Sequence, residues 1–130
     1  MRVMVLMKGD PASEAGALPD EKFVADMQRF NEDLVKAGVL LASEGLYPSA
    51  KGVRVKFSGG KTTVIDGPFT ETKELIAGFW LWQVKTLDEA IEWVKRLPAP
   101  AGMELGEAEI EIRPVFEQAD LERDLQAQSH

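Results

Sequence analysis

Apolar positions along this chain follow two periods, and the switches between them mark out its elements. Residues 2–8 and 76–84 are nearly unbroken apolar runs, the pattern of strands covered on both faces. Phe23, Met27, Phe30 and Leu34 instead recur at helical spacing. With Asp20 as N-cap, Lys36 in the last turn and Gly38 just beyond, they predict a helix over 21–37. Val39 to Leu46 reads as a second strand. Val53 to Phe57 and Thr62 to Ile65 alternate about Gly59-Gly60, which predicts a β-hairpin, because paired glycines permit positive φ in a tight turn. Thr86 and Glu89 have the spacing of a capping box. Leu87, Ala90, Ile91, Val94 and Leu97 then form a helical stripe stopped by Pro98. Residues 109–113 alternate as a half-exposed strand should, and Pro114 suits an edge. Segments 9–19, 66–75 and 98–108 read as loops.

With the hairpin set aside, the order is strand, helix, strand, strand, helix, strand. The expected class is therefore α+β: a ferredoxin-like split β-α-β with an inserted β-hairpin. In that topology the first and third strands are central and the second and fourth are edges. Two helices cover only one sheet face, so the other would leave Trp80 and Trp82, or Phe79 and Leu81, in water. A second copy of the same sheet is the simplest cover, which predicts a homodimer with a cavity between facing sheets. Residues 1–116 form the domain, and 117–130 a polar tail in which Leu121 and Leu125 share a face.

Charge and composition narrow the partners. A net charge of −7 without a basic stripe argues against direct nucleic-acid binding. The absence of cysteine excludes disulfides and thiolate chemistry and suits a cytoplasmic setting. The first apolar run is too short to cross a bilayer and lacks a cleavage site, so neither a membrane span nor a signal peptide is expected. One histidine, His130, and no cysteine give no soft-ligand cluster, so no metal and no cofactor are expected.

The run Asp66-Gly67-Pro68-Phe69-Thr70-Glu71-Thr72-Lys73-Glu74, with Glu44-Gly45-Leu46, Gly78-Phe79 and Arg113-Pro114, resembles the signature of the DGPF branch of the YCII-related family across about residues 1–116. The resemblance implies a dimeric α+β barrel. It also implies an association with sigma factors, and hence an alternative role as a protein-interaction module beside a sigma-factor-like partner. A His and an Asp form a proposed catalytic pair elsewhere in the wider family. Asp66 matches the acidic member, while the histidine has no counterpart within the matched residues.

Asp66 accepts backbone hydrogen bonds readily at a turn, and Gly67 avoids the clash that Pro68 imposes on its predecessor, so the motif reads first as a rigid corner. Its second half places acids, a base and hydroxyls in one loop. If that loop lines the cavity, Asp66 or Glu71 could act as general base and Lys73 could hold an anionic small molecule. The bland alternative is a solvated loop. Glu44, late in an apolar strand, could pair with Arg113 at the sheet edge, or Arg113 could clamp a ligand carboxylate. Trp80 could line a pocket or simply pack in the core. Whether the chain is an enzyme stays open at this level.

Overall fold

The two long helices packed on the sheet begin where a side chain satisfies a free N–H group. Asp20 Oδ1 accepts the Phe23 N–H at 2.7 Å and opens α2 (Glu21–Lys36), which ends as Gly38 turns to φ +71°. Thr86 Oγ1 accepts the Glu89 N–H at 3.2 Å and opens α3 (Leu87–Val94). The reciprocal bond of this cap falls one residue early: Glu89 Oε2 accepts from Lys85 N, at 2.8 Å. The computed structural model describes residues 1–71, 74–98 and 109–128. Most of the expected loop at 98–108 thus lies outside the described residues, as do Lys73 and His130.

The expected loop at 9–19 contains a short helix, α1 (Pro11–Glu14). Asp10 and Ser13 cap each other across it, and Pro11 presets its first turn. The remaining elements are β1 (Arg2–Lys8), β2 (Leu40–Gly45), β3 (Val53–Ser58), β4 (Lys61–Asp66), β5 (Ile76–Gln83), β6 (Ile110–Pro114) and α4 (Gln118–Gln128). The polar tail is therefore helical over most of its length. A one-turn 3-10 segment, Ser49–Lys51, precedes β3.

Four strands form an antiparallel sheet in the order β2-β5-β1-β6, so the two most apolar strands are central. Among the described residues β3 and β4 pair only with each other, through a turn in which Gly59 and Gly60 have φ of +57° and +77°. The architecture is α+β.

One sheet face carries the core. Val3 and Val5 of β1 and Trp80 and Trp82 of β5 pack with Phe30 and Leu34 of α2, Ala90 of α3, and Val39 and Val84. Phe30 meets Trp80 edge-on at 6.3 Å and Trp93 at 6.2 Å. Each such large apolar side chain stabilises the fold by about 1.5–3 kcal/mol when fully buried. Met4, Leu6, Phe79 and Leu81 alternate with these residues and so occupy the opposite face. They are half-buried and outside the core.

Candidate functional site

The corner after β4 is held by contacts its own residues do not announce. A Cβ on Gly67 would lie 1.7 Å from the Ser49 carbonyl oxygen, so only glycine fits there. Gly67 N donates to Gly52 O at 3.0 Å, and the following Gly67-Pro68 peptide is cis. Ser49 ties three segments together. Its N–H and hydroxyl donate to the Glu14 carboxylate at 3.0 and 2.5 Å, while its Oγ accepts the Phe69 N–H at 3.0 Å. The Arg54 guanidinium lies 3.8 Å from the Phe69 ring centroid. Sequence reasoning missed Glu14 and Ser49. The Asp10-Pro11-Ala12-Ser13 capping pattern could have revealed the helix that presents Glu14.

Asp66 pairs with Val53 at the root of the hairpin, and its side chain is exposed, as is that of Glu71. Lys73 lies outside the described residues. Within a single chain, Asp66 and Glu71 are thus carried on a rigid corner that faces outward.

A second grouping of candidates lies on the open sheet face. Register places Glu111, Leu6, Phe79 and Glu44 in one row across all four strands, and Arg113, Met4, Leu81 and Ala42 in the next. Glu111 forms ion pairs with Lys8, at 3.2 Å, and with Arg113. The hydrogen bond from Lys8, opposed by partial burial and helped by Arg113, holds the Glu111 carboxyl below the ordinary carboxylate range. Two cations, Lys8 and Arg113, thus share the Glu111 carboxylate at this edge of the face.

Two expectations need correction. Glu44 and Arg113 do not pair, because β2 and β6 are opposite edges of the sheet. Three strand spacings separate them, about 14 Å. Trp80 is a core residue rather than a wall of the open face: it is buried beneath α2, with Nε1 donating to Asn31 Oδ1 at 2.9 Å. Shallow depressions flank α2, one bordered by Gln28, Asn31 and Lys36 and another by Asp26, Asp33 and Arg96, and neither includes a candidate residue. Among the described residues no group of three or more His, Cys, Asp or Glu could hold a metal. No described helix is long and apolar enough to cross a membrane.

An "uncharacterized protein" of Rhizobium meliloti (strain 1021) is 37% identical over 78 residues, which is 60% of this chain and 63% of that one. The match therefore spans a little under two thirds of the relative's length. Among solved structures, 5-chloro-2-hydroxyhydroquinone dehydrochlorinase from Burkholderia phenoliruptrix AC1100, in complex with 2,5-dihydroxybenzoquinone, aligns over 92% of this chain and 99% of that chain. The TM-score is 0.44 and the identity 15%. The family model of the YCII-related domain matches residues 1–118, nearly the whole of the described fold, and the chain belongs to that family.

Proposed function

We propose that this protein binds a small anionic molecule with an apolar body in a cavity completed by a second copy of the chain. On this reading the strand order is that of a ferredoxin-like domain, two of which meet face to face as a dimeric α+β barrel. The Asp66–Phe69 corner would place the chain in the DGPF branch of its family. The observation that carries the reading is the composition of the open face: Met4, Leu6, Phe79 and Leu81 form an apolar centre, bounded by Lys8, Glu111 and Arg113 at one edge and by Glu44 at the other. An apolar centre favours covering by another sheet, and charged edges favour a ligand with a polar head. Arg113, exposed and sharing Glu111 with Lys8, suits a carboxylate. Asp66 and Glu71, on their rigid corner, are the candidate general bases at the mouth of such a cavity.

The test has two stages. Light scattering measures the mass in solution, where two chains are expected and Phe79→Arg should give one. Thermal shifts are then recorded with a panel of aromatic carboxylates and phenols. The expected result is a carboxylate that raises the wild-type melting temperature and has at least ten-fold weaker affinity for Arg113→Ala. A wild-type monomer, or carboxylate binding indifferent to Arg113→Ala, counts against the proposal.

A further inference from the structure

Two elements have apolar faces that the described residues of their own chain leave exposed. All twelve residues of β3 and β4 are exposed. Register puts Val53, Val55, Phe57 and Val64 on one face of this ribbon, with Arg54, Lys56 and Lys61 on the other. An isolated two-stranded hairpin is marginal in water, so a ribbon with this much exposed apolar surface needs a cover. The second element is α4, which has no buried residue. Leu121 and Leu125, one turn apart on one face, are 39% and 55% exposed. Helical geometry sets Glu122 and Asp124 on either side of that strip.

The two elements are opposite in charge. The span 53–66 holds three basic residues against one acidic, and the span 118–128 three acidic against one basic, in a chain of net charge −7. They are also similar in size. Eleven helical residues extend about 16 Å, and six strand residues about 20 Å. Lysine and arginine stems are long enough to reach around a ribbon of two strands toward acids flanking its apolar face.

Their roots are at diagonally opposite corners of the sheet. The hairpin leaves from the end where Gly45 of the β2 edge pairs with Gly78, and Leu46 N donates to Ala77 O. α4 leaves from the other end, at the β6 edge, where Pro114 pairs with Val3 and Glu117 binds Arg2. These corners are about 20–25 Å apart in one chain. A two-fold axis lying between two facing sheets, perpendicular to that diagonal, exchanges the corners. It sets each α4 root over the partner's hairpin root, with the strands of the two sheets crossing near a right angle, one of the two usual ways sheets pack.

We infer that α4 of one copy docks on the β3–β4 hairpin of a second copy, Leu121 and Leu125 against Val55, Phe57 and Val64. The inference rests on the face-to-face dimer proposed above and adds which peripheral elements close it. Both swapped contacts form at once, as a two-fold interface requires.

The cysteine-free chain makes the test direct. Full-length Val55→Cys and Leu125→Cys proteins are refolded as a mixture under mild oxidation, with Val35→Cys plus Leu125→Cys as control, since Val35 is exposed on α2. The expected result is at least ten-fold more covalent heterodimer from the first pair. Phe57→Cys with Leu121→Cys repeats the test should either first variant fold poorly. Heterodimer yields no higher than the control from both pairs, in protein that light scattering shows to be dimeric, overturn the docking and leave the face-to-face dimer standing. A monomer by light scattering overturns both.

Discussion

The four-stranded sheet and the β3–β4 hairpin both rely on β-branched and aromatic residues, in nearly unbroken runs in the central strands and in alternation in the hairpin, yet these side chains end in opposite environments. In the sheet, Trp80 and Trp82 are 4% and 0% exposed beneath two helices. In the hairpin, Phe57 is 78% exposed and Val64 63%. Alternation specifies a strand and its register, whereas burial depends on what later elements of the chain come back to cover it. α3 returns over the sheet directly after β5, and α2 returns over it after the segment from Gly9 to Asp20 that holds α1. Among the described residues, no element returns over the hairpin.

The difference is widest in the cost of removing one aromatic ring. Trp82→Ala empties the centre of the core and should destabilise folding by about 3–5 kcal/mol in chemical denaturation. A cost below 1 kcal/mol would mean that the sheet-helix layer is not the stability core. The corner joining the two regions comes next. Gly67→Ala drives a methyl into the Ser49 carbonyl, so the backbone must move, at a cost of about 1–3 kcal/mol. Ser49→Ala removes the hydroxyl that serves both Glu14 and Phe69 N, and should cost about 1 kcal/mol. If Gly67→Ala is neutral by the same measurement, the corner is not a rigid joint.

Phe57→Ser probes the hairpin itself. For a lone chain an exposed substitution should stay within about 0.5 kcal/mol. Covering by a second copy would instead make the cost grow with protein concentration, because the interface contributes only in the assembled state. Unfolding curves at two concentrations, differing a hundred-fold, distinguish a bare hairpin from a covered one.

These contrasts show why some of the molecule could be read from its sequence and some could not. Period alone placed the helix after Asp20, the Gly59-Gly60 turn and the two central strands, since each depends on residues within a few positions of one another. The α1 helix was missed although its cap was local, because two prolines and two glycines nearby suggested a loop. The clasp of Glu14 on Ser49 spans 35 positions and leaves no periodic trace. The expected partnership of Glu44 with Arg113 failed for a related reason. Sequence showed that both lay on strands, while strand order put those strands on opposite edges. The side of the sheet that Trp80 faces was likewise undecidable from a run apolar at every position.

The smallest expected effect concerns how α4 is anchored. Arg2 forms a two-point bond with Glu117, both at 2.8 Å, just before the helix begins. The hydrogen bond from Arg2 holds the Glu117 carboxyl below its ordinary value of 4.5, against the cost of burial. A depressed carboxylate stabilises the folded arrangement fully above that ordinary value, and the stabilisation is lost as pH falls through the lower folded value. Because the pair is exposed and screened by solvent, the loss should show in the helix rather than in global unfolding. The Cα chemical shifts of Asp120–Gln128 should therefore move toward coil values as pH drops below 4.5. In Glu117→Gln they should already lie nearer coil at neutral pH and change less on acidification. Equal acid sensitivity in both proteins would show that α4 is held by something other than Arg2, such as the contacts a second copy supplies.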